Sequence, residues 1–384
     1  MKIAIQVADL DHARIDGTRV YIANLLKHFG RLDKQTDFLL LHRKEFNSEL
    51  APPSFPNFQV RKTPFPWLWT QTRFAYELWK SRANVVWMPM AALPLWRRKK
   101  MQTVITIHDL AFKHFPATFP ARDLRKLNFF ADYSIRRADK IIAISEATKK
   151  DILKFYPEVN AEKIRVIYHG FSAEIFGEKR DVAREVELKK QWGIQGNYIL
   201  YSGALQPRKN IERLIEAFDL LKSRKQKELS SQAWELSSFC ALKLVLAGEK
   251  AWLWESIAKK AKNSAYSADI IMPGRVKFCD IGHLFRGASV FVYPSLYEGF
   301  GITILEAFAA GVPLLTASNS SLPEVAGDGA LYFDAQDTRQ LSAQLEKILT
   351  SSQLQAELIA KGQARLPAFS WEKCAQETLS YLTE

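Results

Sequence analysis

The chain has 384 residues, 47% hydrophobic and 25% charged, a globular balance with enough length for two cores rather than one. Its three cysteines, Cys240, Cys279 and Cys374, lie far apart with no CxxC spacing, which excludes a disulfide framework or zinc site and fits a reducing, cytoplasmic compartment. The net charge of +13 sits wholly in the first half: residues 1–190 hold 34 Lys and Arg against 21 Asp and Glu, and residues 191–384 hold 20 of each.

The opening MKIAIQVADLD runs straight into a strand pattern at Lys2–Val7, without the apolar core of a signal peptide. Helix Thr18–Phe29 and strand Phe38–Leu41 follow. An aromatic-rich run then extends from Phe65 to Trp87, with the basic cluster Arg97-Arg98-Lys99-Lys100 beside Trp96. Strands are expected at Val85–Met88, Thr103–Ile107, Lys140–Ile144 and Arg165–Tyr168. Helices are expected at Asp123–Arg137 and Glu146–Tyr156, the second capped by Ser145. Strands alternating with helices imply a parallel sheet covered on both faces. No stretch of about eighteen uncharged apolar residues occurs, so no membrane span is expected.

Residues Phe171 to Gly196 turn polar, with a helical stretch around Val182–Trp192, and read as a linker, dividing the chain into domains at 1–180 and 195–369. The alternation then resumes with strands at Tyr198–Ser202, Leu242–Ala247, Arg275–Phe278, Val290–Tyr293 and Leu314–Thr316. Helices between them are expected at Ile211–Leu221, Leu253–Ala261 and Ile281–Arg286, and the polar insert Lys222–Leu236 reads as a loop or helix extension. Two α/β units of this kind leave a cleft at the carboxyl ends of their strands, where ligands bind in open sheets.

The segment YPSLYEGFGITILEAFAAGVP places Glu298 and Glu306 on either side of a Gly-Phe-Gly turn that opens a helix. A helix start offers unpaired N–H groups to an anion, and glycine lets a ligand approach the backbone. Carboxylates there would repel phosphate and so are better suited to hydroxyl groups. Thr303 and Glu306 also fit a capping box, with Thr303 as the cap, and Gly311 and Pro313 end the helix. A second element supports a ligand site: Arg208 and Lys209 follow strand Tyr198–Ser202 just before a helix capped by Asn210. There the two cations would clamp a diphosphate.

These residues resemble the family-4 retaining glycosyltransferases. The likeness is carried by GALQPRKN at 203–210, PSLYEGFGITILEAFAAGVP at 294–313, SNSSLPEVAGDGALYFD at 318–334 and IIAISEATKKDI at 141–152. Phe369-Ser370-Trp371 before the last helix resembles the family's ending. The resemblance implies the GT-B architecture: two Rossmann-like α/β domains facing across a cleft, an acceptor-binding one at 1–180 and a donor-binding one at 195–369. The C-terminal helix, 370–384, would cross back to the first.

By that resemblance Glu306 holds the donor ribose, Glu298 and His108 contact the transferred sugar, and Arg208 and Lys209 neutralise the diphosphate. Backbone N–H groups of Phe300, Gly301, Ile302 and Thr303 assist, and Gly17 lets the first domain approach the phosphate. The chain has Asp16-Gly17-Thr18-Arg19 where the family has paired glycines, and Arg19 would add a phosphate or acceptor contact. The RKN-containing sequence favours GDP-mannose as donor, with UDP-sugars as the alternative, and no cofactor is implied. The activity implied is hexose transfer with retention to a glycan or lipid-linked acceptor, in synthesis of surface polysaccharide or glycolipid.

The basic first half suits peripheral contact with an anionic membrane at its inner face, a phosphorylated acceptor, or a merely solvated surface. Nucleic acid is not expected, because no RRM, KH or zinc-finger signature is present. Asp9-Leu10-Asp11 resembles a metal-binding DxD, but its place after the first strand argues against that role, so no metal is expected. A glycosidase, a nucleotide-sugar epimerase and a non-catalytic sugar-nucleotide binder are the competing readings. Oxidoreductase and P-loop readings lack their glycine motifs.

Overall fold

Short runs rich in Ile, Val and Leu, buried on both faces, build two parallel sheets. The computed structural model describes residues 1–176, 181–228, 239 and 241–384. These residues group into two units, Met1–Gly170 with Phe369–Glu384, and Phe171–Ala368. The first sheet contains β1 (Lys2–Gln6), β2 (Asp37–His42), β3 (Phe58–Lys62), β4 (Val85–Met88), β5 (Gln102–Ile107), β6 (Lys140–Ala143) and β7 (Ile164–Val166), in the order 3-2-1-4-5-6-7. The second contains β8 (Tyr198–Ser202), β9 (Lys243–Ala247), β10 (Ile270–Gly274), β11 (Val290–Tyr293), β12 (Leu314–Ala317) and β13 (Ala330–Phe333), in the order 10-9-8-11-12-13. Each order reverses beside its first strand, at β1/β4 and at β8/β11. Such a reversal opens a crevice at the strand carboxyl ends.

In the first unit, Trp87 and Tyr21 are fully buried and share Thr106 Oγ1 as hydrogen-bond partner, at 3.1 and 3.3 Å. The helix Trp371–Thr383 packs on α1 (Gly17–Leu32), so the C-terminal segment belongs to this unit. It is tied down by Lys140 donating to the Tyr381 carbonyl at 2.9 Å and by Tyr381 donating to the Lys163 carbonyl at 2.7 Å. Arg165 closes the end with a two-pronged bond to Glu384, at 2.7 and 2.8 Å. Ser145 caps Glu146–Phe155 by accepting the Thr148 N–H, as the sequence predicts.

Several expectations are corrected. The third strand of the second sheet is Ile270–Gly274, not Arg275–Phe278: Gly274 turns to φ +79 and ends it, and Phe278 opens the helix Phe278–Arg286. The edge strand β3 is not among the expected strands, since its exposed face lacks alternation, and β13 is the opposite edge, where Leu331 and Tyr332 are only partly buried. The polar stretch read as a linker is packed structure: the expected helical stretch is Val182–Gln191, a further short helix spans Ala173–Phe176, and both pack on Phe278–Arg286. The insert begins as helix, since Ile211 continues helically to Glu228. The rest of it, 229–236, and Cys240 lie outside the described residues.

Candidate active site

Both halves of the candidate site in the second unit leave the sheet at its switch point. The Arg208-Lys209 turn follows β8, and the Glu298 loop follows its neighbour β11. The two loops are stitched together by the backbone, with Leu296 N–H donating to the Arg208 carbonyl at 2.9 Å. Asn210 completes the join. It sits left-handed at φ +57 and does not cap its helix through the side chain; its amide donates instead to the carbonyls of Pro294 and Ala335, at 3.1 and 2.8 Å. Asparagine tolerates this conformation better than most residues, and its amide suits two acceptors at once.

Within this frame Glu298 is surrounded by cations. Lys209 Nζ donates to one carboxylate oxygen at 2.5 Å and Arg208 Nη1 to the other at 3.3 Å. Arg208 also donates to the Tyr297 carbonyl, and Lys209 to the Tyr293 hydroxyl at 3.3 Å. All three charged side chains are buried. Burial would raise the Glu298 carboxyl, but Lys209 and then Arg208 outweigh it and hold the group at about 2. Two serines and an asparagine with no role assigned from the sequence fix the loop. Ser320 Oγ accepts the Glu298 N–H at 3.0 Å, and Ser321 donates to the carbonyls of Glu298 and Phe300, at 2.9 and 3.0 Å. Asn319 donates to the Ser295 carbonyl at 3.2 Å. Their signal in the sequence was the run SNSS itself, since small hydroxyl and amide side chains satisfy irregular backbone.

The helix Ile302–Ala309 departs from the capping box. Its N-cap is Gly301 at φ +96, no side chain caps it, and Thr303 lies two positions past the cap. A side chain at 301 would be strained by that φ and would press on Leu322 and Ile304, with contacts of 3.2 and 3.3 Å. The amides of Ile302 and Thr303 therefore lack helical acceptors by position, with the positive end of the helix dipole behind them. Glu306 is half-buried, and its carboxylate makes no ion pair or hydrogen bond among the described residues. Burial pushes it up to about 7, with no cation opposing. The loop thus carries a carboxylate neutralised by its neighbours, and the helix that follows carries one left unsatisfied.

In the first unit, His108 follows β5 and donates from Nε2 to the Pro89 carbonyl at 2.8 Å, which leaves Nδ1 as an acceptor. Burial lowers its basicity, so the ring is neutral near pH 7. Asp109 is not its partner; it accepts the Ala111 N–H at 3.0 Å. Tyr21, one turn beyond Gly17, packs edge-on to the His108 ring at 5.2 Å, bringing this helix start and the histidine to one corner of the unit. Gly17 begins α1, where Asp16 accepts the Arg19 N–H at 3.3 Å. Arg19 does not stand free for a ligand: it pairs with Asp16 and donates to the Asp9 carbonyl at 3.0 Å. Asp11 accepts the N–H groups of Arg43 and Lys44, at 2.8 and 2.6 Å, so it serves as a loop anchor.

Two family models match the chain. "Glycosyltransferase Family 4" covers residues 15–174 and "Glycosyl transferases group 1" covers residues 185–365. The O-antigen chain mannosyltransferase B of Escherichia coli is 30% identical over 283 residues, which is 73% of this chain and 69% of that protein. The serotype-specific mannosyltransferase WbdA of Escherichia coli is 29% identical over 288 residues, where the match spans only 33% of the relative. Among solved structures, Anabaena HepE in complex with UDP and glucose superposes with a TM-score of 0.75 over 100% of both chains, at 17% identity, and so shows the fold alone.

Proposed function

The chain belongs to the group 1 glycosyl transferases of glycosyltransferase family 4 and has their GT-B fold, and from that membership we propose a retaining hexosyltransferase that moves mannose from GDP-mannose. The acceptor in this reading is a glycan or lipid-linked glycan of surface polysaccharide or glycolipid, bound by the first domain, with the donor bound by the second. The names of the mannosyltransferase relatives support the sugar, while the UDP complex of HepE keeps UDP-sugars as the alternative donor. The observation that carries the proposal is the uncapped helix start at Gly301, set in the same loop system as the buried Arg208-Lys209 pair.

The chemistry follows from charge. Breaking the sugar–phosphate bond leaves negative charge on the diphosphate, and preplaced cations and amides stabilise it without reorganising. In the free protein Glu298 keeps Arg208 and Lys209 charged and in position. An arriving diphosphate takes over part of that pairing, and Glu298 is then available to the transferred sugar, where positive charge develops. Glu306, which has no other partner, receives the ribose hydroxyls. His108 and Gly17 take the sugar-contacting and phosphate-approaching roles the resemblance gives them. Because the cation pair supplies the counter-charge, no metal is required, and turnover is expected to survive a chelator.

Thermal unfolding with a panel of nucleotide sugars tests the donor. GDP-mannose near one hundred times its dissociation constant adds about 2.7 kcal/mol, a shift of about 5 °C or more. A larger shift with a UDP-sugar moves the assignment to that donor, and no shift with any nucleotide sugar removes the donor site. Product analysis decides the reaction. A transferred sugar of retained configuration is expected, and an epimerised free nucleotide sugar without acceptor would replace the reading by an epimerase.

A further inference from the structure

Two buried tyrosines stand at the carboxyl ends of the strands that feed the site, Tyr201 on β8 and Tyr293 on β11, and the proposed chemistry uses neither. Their hydroxyls go to different places. Tyr201 donates to the Ala204 carbonyl at 3.1 Å and so serves its own loop. The Tyr293 hydroxyl bonds no backbone group among the described residues. It accepts from Lys209 Nζ at 3.3 Å, and the Thr303 side chain meets the same oxygen. Thr303, which does not cap its helix, has its partner here.

The ring is fixed as firmly as the hydroxyl. It stacks on Phe291 at 5.9 Å and lies under the helix start, where a Cβ added at Gly301 would come within 3.5 Å of its edge. The Tyr293 carbonyl accepts the Thr316 hydroxyl at 3.1 Å, and the next carbonyl, of Pro294, is one of the two that Asn210 holds. The phenol oxygen is thus a set point between the turn that carries Lys209 and the helix that carries Thr303. Phenylalanine would fill the same space and stack on Phe291 equally well, so packing does not call for the hydroxyl. The other partner of Lys209, Glu298 at 2.5 Å, is a carboxylate with which an arriving diphosphate must compete for the ammonium. Burial and the nearby Glu298 push the phenol pKa well up, so Tyr293 stays neutral and holds the ammonium without cancelling its charge.

We propose that Tyr293 is a positioning residue for sugar transfer: its hydroxyl keeps Lys209 beside the Thr303 end of the helix while Glu298 yields the ammonium to the diphosphate. A lysine ammonium is a compact charge on a flexible stem with three rotatable donors, so once released from a carboxylate it has no geometry of its own. Anchored at one corner by the phenol, it turns its other donors to the oxygen on which charge grows, alongside the amides of Ile302 and Thr303. Without that anchor the cation is still present but must be ordered at each turnover. The inference rests on the diphosphate reading of the site and adds to it the group that joins its cation to its helix start.

The test is a double-mutant cycle in the full chain, with Tyr293→Phe, Lys209→Met and the two together. Thermal unfolding, steady-state transfer, and titration calorimetry with GDP and with UDP are the readouts. Tyr293→Phe should unfold within about 5 °C of wild type. It should lower kcat about tenfold or more and change the donor KM less than about threefold. The nucleoside diphosphate that the wild type binds more tightly, which carries the full charge that transfer leaves, should bind about threefold more weakly. In the Lys209→Met background the same substitution should change kcat and nucleotide affinity less than about twofold, because the ammonium it positions is gone. Equal losses in both backgrounds make Tyr293 a packing residue and overturn the inference, and so does a Tyr293→Phe chain with wild-type kcat. If Tyr293→Phe does not fold, Thr303→Val decides instead: it keeps the shape, removes the other hydroxyl, and should lower kcat about threefold in the wild-type chain only. An undiminished kcat there overturns the inference. Failure of the transferase reading looks different. A wild-type chain that binds neither GDP nor UDP and transfers no sugar removes that reading and the inference with it, whereas transfer by wild type and Tyr293→Phe alike removes the inference alone.

Discussion

Two helices in this protein start on a glycine beside a sheet switch point, and their surroundings are opposite in charge. At Gly17 the helix brings its own counter-ion: Asp16 caps it, and Arg19 folds back onto Asp16 and the Asp9 carbonyl. At Gly301 nothing caps the helix, and the nearest charged cluster contains two cations and one acid. The first start satisfies its own donors to a large degree; the second keeps them for a ligand. A glycine at a helix N-terminus is therefore a weak sign of a phosphate site until the neighbouring donors and acceptors are accounted for.

The largest expected effect comes from removing the cations. Arg208→Ala with Lys209→Ala should lower kcat about a thousandfold at saturating donor, by analogy with losing preplaced donors at a developing charge. It also strands Glu298 in a buried site, so folding must be checked by thermal unfolding. Adding Glu298→Gln should restore stability but not turnover. Turnover within tenfold of wild type in the folded triple variant would sink the diphosphate role.

The next effects separate the two glutamates by pH. Glu298 has its pKa lowered from 4.5 to about 2, so its contribution to stability is present above 4.5 and is lost as pH falls towards 2. Glu306 is raised from 4.5 to about 7, so ionisation costs stability progressively as pH rises from 4.5 through 7. Each shift corresponds to on the order of 3 kcal/mol. Glu298→Gln is thus expected to lose about that much at neutral pH. Glu306→Gln should gain stability at pH 8, gain nothing below pH 4, and bind nucleotide about tenfold more weakly. Denaturant unfolding across pH checks both signs; a Glu306→Gln variant no more stable than wild type at pH 8 would contradict the unsatisfied carboxylate. Smaller still, Gly301→Ala should cost about 1–2 kcal/mol for its positive φ and raise the donor KM.

The fold was legible because both sheets are built from central strands whose apolar runs stand out against helical spacing. The misses fell where packing, not pattern, decides. Strand β3 is a sheet edge with exposed residues, and β10 was displaced because Pro273-Gly274 ends a run that reads weakly on either side. At the site, residue types pointed to the right cluster: Arg208, Lys209 and Glu298 do meet. Their mutual arrangement was not legible. Spacing alone gave two acids for hydroxyls, whereas Glu298 is held by cations contributed some ninety positions earlier. Thr303 and Asn210 were misread as caps for a related reason. Local cap signals describe what a side chain does without a tertiary partner, and Asn210 had two carbonyls waiting.

The smallest effect tests the first helix start most sharply. Asp16→Asn keeps an oxygen to accept the Arg19 N–H, so stability should stay within about 0.5 kcal/mol of wild type. It removes the charge that now stands in front of the helix and frees the Arg19 guanidinium from its ion pair. If Gly17 approaches the donor phosphate, an anion there meets less repulsion and one more available cation. Terminal charges on helices contribute about 0.3–1 kcal/mol, so donor affinity should rise about threefold. The gain should shrink at high salt, because the removed charge is partly exposed and screened. Unchanged donor affinity, measured by titration calorimetry at low salt, would leave Gly17 as the first residue of a self-capped helix and confine the phosphate site to Gly301 and the Arg208-Lys209 pair.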